Sequence, residues 1–305
     1  MYAKQSRMDI RYVQSFVTVV ECGSIAEAAR RLDLTAAAIA ARVRALEEDL
    51  GTPLVQRAGR SVKPTEAGLK ILERARLVVR EVRDMRALAT DDTPLGEFRL
   101  GVSSSALTGM VAPVLRAFYQ RYERLAVYVD AGTSSDLYHK VLNGKLDASI
   151  IVEPQFAAPK GHVWRLMMEE PLVVLAPMEM AGRDPHELMA NEPFIRYDRS
   201  VWGGRLADRY LRQNGIRPRE RLEIDGLMAI AGMVAEGLGV SLLPDWAPER
   251  LAQMSLVRIP LPGRGPVRRM GLFWDTYSPH AQLAGSFYEV AMAALETWPN
   301  RGRAG

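Results

Sequence analysis

The feature that most constrains this chain is a pair of short helical segments, each opened by its own capping residue and joined by about three residues. The first opens at Ser24 with Glu27 three positions on. That is a capping box, in which the serine oxygen takes one orphan N–H and the glutamate reaches back to another. Ile25, Ala28, Ala29 and Leu32 follow as a narrow apolar stripe whose alanines let a neighbouring helix approach closely. The second segment opens at Thr35, a good N-cap residue, and turns Ile39, Val43 and Leu46 inward at spacings of four and three. Two short helices joined this tightly, with small residues at the crossing, form a helix-turn-helix. An earlier segment ending at Gly23 sets Val13, Phe16, Val17 and Val20 on one face and completes a three-helix head.

In such a motif the outward face of the last helix enters the major groove of duplex DNA. Here that face carries Ala36, Ala37, Ala40, Ala41 and Arg44, with Arg42 to one side. Alanines donate nothing to base edges, but they touch a thymine methyl and let the backbone sit close. Direct readout is therefore expected to be modest, with shape and flanking contacts carrying more. Pro53 to Arg57 turns into a short strand, and Ser61 to Thr65 returns. This hairpin, or wing, places Arg57, Arg60 and Lys63 within seven residues that contain no acid. Wings beside recognition helices grip the backbone or the minor groove. The expected contact set for double-stranded DNA is thus Ser24, Thr35, Ala36, Ala37, Ala40, Arg42, Arg44, Arg57, Arg60 and Lys63. Charge distribution agrees: residues 1–90 carry 16 Lys or Arg against 11 Asp or Glu, whereas the remaining 215 residues carry 24 against 25. The basic excess sits in the head, as polyanion binding requires.

Thr65 caps a further helix that runs toward Ala89, about 25 residues or roughly 37 Å long. Ile71, Ala75, Val78, Val82 and Met85 recur along it in a heptad-like seam. A helix this long is not stable alone. The seam is expected to pair with its copy in a second chain, giving a homo-oligomer that sets two heads on successive turns of DNA. Packing on its own domain is the other reading.

Asp91-Asp92-Thr93-Pro94 breaks the helix and reads as a hinge. Beyond it strands and helices alternate, the rhythm of a parallel or mixed sheet. Strands are expected at 98–102, 125–129, 148–152, 172–176, 194–195, 222–224, 240–243, 256–259 and 270–274. Helices are expected at 107–122, 136–142, 201–213, 227–236 and about 279–298. The domains read as 1–65 for the head, 66–91 for the linker helix and 95–298 for the rest. The last is expected to form two lobes, about 95–165 with 267–298, and about 166–266, with a cleft between them.

Open α/β sheets bind ligands beyond the carboxyl ends of their strands. Ser103, Ser104 and Ser105, then Thr133, then Tyr197, Asp198, Arg199 and Trp202 follow strands and open helices. Their hydroxyls and free N–H groups suit an anion, although ordinary capping explains Ser105 equally well. Glu153, Asp225 and Asp245 also follow strands or start turns, which keeps a cationic or hydroxyl-rich effector open. Catalysis is hard to assemble. His139, His162, His186 and His280 are scattered without metal-ligand spacing, and no Walker motif or nucleophile elbow occurs. No cofactor or metal is expected. The single cysteine, Cys22, cannot form an internal disulfide and reads as a core thiol. With no apolar run near the length of a membrane span, a cytoplasmic address with no membrane partner is expected.

The chain resembles the LysR-type transcriptional regulators. The resemblance rests on Gly23 through Leu32, on Leu46 through Leu54, and on Pro64-Thr65-Glu66-Ala67-Gly68. Farther on it includes Gly144 through Ala148 and Glu236 through Pro244, so it covers nearly the whole chain. It implies a winged helix-turn-helix, a dimerising linker helix and a two-lobed α/β domain like periplasmic binding proteins. It also implies dimers or tetramers, and a small metabolite as effector in the cleft. Carried onto this chain, effector contacts fall at Ser103, Ser104 and Thr133, with Tyr197 to Trp202 across the cleft. One departure concerns the recognition helix. The family's polar, glutamine and arginine positions hold Thr35, Ala36, Ala37, Ala40 and Ala41 here. Two other readings remain open. One is an architectural DNA-binding protein whose cleft is plugged by Trp202, Met228 or Trp246, and the other is an enzyme with a DNA-binding appendage.

Overall fold

The structure, a computed structural model, describes residues 8–59, 61–89 and 97–296. The chain divides into two units, Met1–Pro94 and Leu95–Gly305.

The first unit contains α1 (Ile10–Cys22), α2 (Ile25–Arg31), α3 (Ala36–Leu50), β1 (Val55–Ala58), β2 (Ser61–Pro64) and α4 (Glu66–Ala89). Each helix starts where a side-chain oxygen replaces a missing intrahelical partner. Asp9 accepts from the Arg11 N–H, Ser24 from Glu27, Thr35 from Ala38, and Thr65 from Gly68. The Ser24 capping box is only half formed, because the Glu27 carboxylate pairs with Arg30 instead of reaching back. Between α2 and α3, Asp33 takes a left-handed φ of 52°, which lets the chain reverse in four residues. Two apolar clusters hold the head. Val19, Ala28, Ala29, Ile39 and Val43 join α1, α2 and α3, with Cys22 half-buried against them. Val13, Phe16, Val17, Leu46, Leu54, Leu72 and Ala75 join α1 and α3 to the start of α4.

The expected seam on α4 is split. Ala75 is buried and Ile71 half-buried in the second cluster, packed on their own chain. Val78 and Met85 are exposed, and Val82 is half-buried. The face that touches α1 is centred on Leu72, Ala75 and Val79, so the heptad positions peel away from the head only beyond Ala75.

The second unit contains β3 (Glu97–Ser103), α5 (Ser104–Thr108), α6 (Val111–Arg121), β4 (Ala126–Gly132), α7 (Ser134–Leu142), β5 (Ala148–Val152) and β6 (His162–Pro177). It continues with α8 (Pro185–Asn191), β7 (Pro193–Tyr197), α9 (Trp202–Gln213), β8 (Arg219–Ile224), α10 (Leu227–Ala235), β9 (Ser241–Pro244) and α11 (Pro248–Leu251). It ends with β10 (Leu256–Pro260), β11 (Val267–Asp275) and α12 (Ala281–Ala294). One sheet runs β4-β3-β5-β11-β6, with β3, β4 and β5 parallel and β11 antiparallel to both its neighbours. The later residues of β6 leave that sheet and pair with β10 on one side and β9 on the other. A parallel bridge from Val240 to Phe194 then adds β7, which pairs with β8. The result is two lobes sharing one 16-residue strand.

The inner strands β3, β5, β9 and β11 and the second half of β6 are covered on both faces and read as nearly unbroken apolar runs, whereas the edge strands β4 and β8 stay half-exposed. In β6, Leu172, Val174 and Ala176 face Leu188, Ala207 and Leu211. The alternate residues Val173 and Leu175 face Leu227, Ile230 and Val234. In the other lobe the rings of Phe98, Phe118 and Phe287 lie 5.0–6.0 Å apart and lock α6 and α12 onto the sheet.

Three local expectations are corrected. The helix expected over 107–122 is two helices, broken at Gly109 and Met110 so that Pro113 falls in the first turn of α6, where its missing N–H costs nothing. The strand expected at 172–176 begins ten residues earlier, at His162. A helix over Pro185–Asn191 was not anticipated, although Asp184 caps it and Pro185 opens it.

Candidate functional site

In the head, α3 turns Ile39, Val43 and Leu46 inward and leaves Ala36, Ala37, Ala41 and Arg44 exposed, with Ala40 and Arg42 half-buried. The oxygens of Ser24 and Thr35 are occupied as helix caps. Each hydroxyl proton remains able to donate to an oxygen outside the protein.

The wing is fixed to α3 by one side chain. Glu47 Oε1 accepts from the Leu54 N–H at 2.7 Å and the Val55 N–H at 3.1 Å, at the start of β1. The Val62 N–H donates to the Gly23 carbonyl, and the Thr65 hydroxyl to the Pro53 carbonyl. Gly68 closes the packing, since a Cβ there would stand 2.1 Å from the Leu54 carbonyl oxygen. In the ribbon Arg57 opposes Val62, and Lys63 opposes Gln56. Side chains alternate along a strand, so Arg57 and Lys63 point to opposite faces of the wing rather than forming one patch. Arg60 lies outside the described residues.

The cations of the head fall into two sets. Arg11, Arg30, Arg31, Lys70 and Arg76 are paired with Asp9, Glu27, Glu21, Glu66 and Glu73. Hydrogen bonds from Arg11, with a weaker influence from Arg42, hold the Asp9 carboxyl down at about 2. Arg44, Arg57 and Lys63 have no ion pair among the described residues. Arg44 on α3 and Arg57 and Lys63 on the two faces of the wing thus keep their charges free of the ion pairs that engage Arg11, Arg30, Arg31, Lys70 and Arg76.

In the second unit, a cleft forms where the carboxyl ends of β3, β4, β5 and β7 meet the segment after β8. Its cavity volume is about 30 Å³, and it is lined by Ser103, Ser104, Ser105, Thr133, Tyr197 and Trp202, all expected from the sequence. Ser134, Asp225, Gly226 and Arg268 complete its polar lining. Asp198 and Arg199 do not line it. The Asp198 carboxylate accepts from the Ser200 N–H, and Arg199 is clamped by Glu223 at 2.6 and 2.9 Å, which holds the Glu223 carboxyl down at about 2. Glu153 and Asp245 are likewise engaged, by Arg269 and Arg258.

Glycines bring the helix starts close. A Cβ on Gly203 would stand 2.7 Å from the Tyr197 hydroxyl, and one on Gly204 would stand 1.8 Å from the Asp198 carbonyl oxygen. Thr133 caps α7, and Ser134 Oγ accepts from the Val152 N–H. By contrast the N-caps of α5, α9 and α10, which are Ser103, Val201 and Gly226, make no side-chain cap hydrogen bond, and all three line the cleft. Trp202 packs edge-on against Tyr138 and Phe156 and forms an aromatic wall. Trp246 and Met228 do not line the cleft, so of the three bulky candidates only Trp202 borders it.

Arg268 was not anticipated as a site residue. It lies at the start of β11, directly opposite Glu170 on β6, and is 1% exposed. Its Nε donates to Glu170 at 2.7 Å. Burial pushes the Glu170 carboxyl up against the pull of Arg268, and it pushes the Tyr197 phenol up as well. The only sequence signal was a doubled arginine before the apolar run of β11.

Among the described residues, no group of three His, Cys, Asp or Glu side chains is placed to hold a metal ion, and no helix is long and apolar enough to cross a membrane. Residues 10–69 match the family described as "Bacterial regulatory helix-turn-helix protein, lysR family", and residues 91–296 match the "LysR substrate binding domain". The HTH-type transcriptional regulator CzcR of Bacillus thuringiensis is 26% identical over 256 residues, covering 83% of each chain. The probable transcriptional regulator PA0477 of Pseudomonas aeruginosa superposes with a TM-score of 0.72 at 16% identity, covering 92% of this chain and 96% of that one. Full-length CbnR in complex with its target DNA superposes with a TM-score of 0.64 at 22% identity, covering 94% and 100%. The winged helix-turn-helix head, the linker helix and the two-lobed α/β domain like periplasmic binding proteins are therefore those of a DNA-binding regulator and not of an enzyme, and the chain belongs to the LysR family of transcriptional regulators.

Proposed function

We propose that this protein controls transcription in the cytoplasm as a homo-oligomer whose hold on DNA is set by a small molecule in the cleft. In this reading α3 lies in the major groove with Ala36, Ala37 and Ala40 against bases, while Arg42 and Arg44 reach the groove edge. Arg57 and Lys63, on opposite faces of the wing, meet phosphates of the two strands that flank it. Thr35 and Ser24 add hydroxyl donors to the backbone. The solved CbnR complex with DNA, on the same fold, supports the arrangement. The exposed apolar residues Val78 and Met85, continued by Val82, are the part of the α4 seam left for a second copy.

The observation that carries effector control is the cleft. Strand ends and uncapped helix starts from both lobes converge on one space, so a ligand there binds the two lobes together and favours one angle between them. Of the three side chains that could plug the cleft, Trp202 borders it and Met228 and Trp246 do not. The test is footprinting of the full-length protein on DNA upstream of its own gene, with and without compounds shown to bind the cleft. A changed footprint is expected; an identical footprint with saturating cleft ligand sinks effector control.

A further inference from the structure

We propose that the second unit holds a second ligand site, separate from the cleft, which takes a small organic dianion between Arg116 and Arg250. A hollow of about 400 Å³ opens where α5 and the start of α6 meet α11, against about 30 Å³ in the cleft. Small-molecule sites span roughly 300–1,000 Å³, so this hollow has room for a whole metabolite. Gly109, Ala112, Pro113 and Arg116 line it from one lobe, and Ala247 and Arg250 from the other. It shares no lining residue with the cleft. Arg116 stands one turn beyond Ala112, and Arg250 three residues beyond Ala247. Each guanidinium therefore reaches the hollow from the same face as a small apolar residue.

Both arginines are exposed, and neither is in an ion pair among the described residues. In the same unit Arg99, Arg196, Arg199, Arg258 and Arg268 are each held by a carboxylate. The described lining of the hollow contains no acid. A recess bordered by charge of one sign focuses its field and concentrates counter-ions. Two guanidiniums present two forked sets of donors, which match a phosphate ester or a pair of carboxylates better than a single carboxylate. The first turn of α6, whose N-cap Met110 makes no side-chain hydrogen bond, adds partial positive charge. Ala112, Pro113 and the buried Ala247 supply apolar surface for a short carbon skeleton. The hollow also lies on a joint. Val111 and Val114 of α6 pack in the core of the first lobe, and Ala247 and Leu251 in the core of the second. Beside it the Trp246 indole donates to the Thr108 hydroxyl at a long 3.4 Å. Thr108 ends α5, whose first residues Ser104 and Ser105 line the cleft. A dianion gripped from both lobes therefore favours one angle between them, as a cleft ligand does, but from the other end of α5.

The experiment uses full-length protein with succinate and phenyl phosphate as dianions, acetate as a monoanion and succinamide as a neutral match, all at one ionic strength. Binding is read by titrating each probe and following hydrogen exchange of the segments 108–116 and 245–252. We expect at least one dianion to protect both segments, and the stronger of the two names the source as carboxylate or phosphate. Arg116→Gln and Arg250→Gln should each weaken that protection about tenfold, the loss of a charged hydrogen bond at an exposed group. Arg264→Gln removes an exposed arginine outside the hollow and should leave it unchanged. Equal protection by acetate or succinamide would overturn the dianion. Equal weakening in all three variants, or in none, would overturn the assignment to Arg116 and Arg250. Dianion protection confined to the cleft segments 133–138 and 197–205 would overturn the second site while leaving the cleft a ligand site, and no protection by any probe would overturn the second site as well.

Discussion

Replacing Glu47 with alanine should uncouple the wing from the recognition helix without removing a single candidate DNA contact. The carboxylate accepts two backbone N–H groups through one oxygen, at 2.7 and 3.1 Å, and Leu54 is fully buried. A hydrogen bond to a charged group contributes about 1.5–3 kcal/mol. Because both bonds share Oε1, we take about 2–4 kcal/mol for the pair rather than the doubled value. At about 1.4 kcal/mol per factor of ten, hydrogen exchange at the Leu54 and Val55 amides should accelerate about 30- to 1,000-fold. Glu47→Gln keeps an oxygen acceptor and loses only the charge, so its effect should be about 1 kcal/mol. Affinity for DNA should fall in E47A while the slope of log K against log salt stays unchanged, since Arg44, Arg57 and Lys63 remain. Unaltered exchange at Leu54 and Val55 in E47A would refute the anchoring role.

Replacing Arg57, Arg60 and Lys63 together by alanine should weaken binding to every duplex and reduce the salt slope by up to about 2.7, at about 0.9 per phosphate contact; an unchanged slope in a titration series would rule out the wing as a phosphate contact. Gly204→Ala should lower the thermal midpoint of the second unit sharply, because its Cβ would meet the Asp198 carbonyl oxygen at 1.8 Å; a midpoint equal to the parent's would show that the α9 start moves freely. The Arg199–Glu223 clamp should contribute stability above about pH 4.5 that is lost as the pH falls toward 2, because the Glu223 carboxyl is held low in the folded state. The pair is partly solvent-exposed, so the acid-limb difference between parent and Glu223→Gln should be about 1 kcal/mol or less, and a difference confined to alkaline pH would contradict the sign.

What the sequence made legible was whatever is decided within a turn or two of chain. Ser24, Thr35 and Thr65 cap the helices expected of them, and Ile39, Val43 and Leu46 are buried as their spacing demands. The cleft residues Ser103 to Ser105, Thr133, Tyr197 and Trp202 were legible because each follows a strand and opens a helix. What escaped depends on partners distant in sequence. The first ten residues of β6 are a strand because β11 pairs with them, although Pro171 interrupts the local pattern. Arg268 reaches the cleft only through that same pairing, and the α4 seam divides at Ala75 because α1 occupies its first two turns. Alternation along β1 and β2 was available to place Arg57 and Lys63 on opposite faces, but counting charges alone obscured it.

The shared strand has a consequence for synthesis. The lobe that begins with β3 needs β11 and α12, so its last pieces leave the ribosome after the whole of the other lobe. At about 5–20 residues per second, the interval between β5 and α12 is roughly 7–30 s. During it Phe98 and Phe118 lack the ring of Phe287 that later covers them. The inserted lobe can close first, while its host waits unfinished and exposed to chaperones and to other nascent chains.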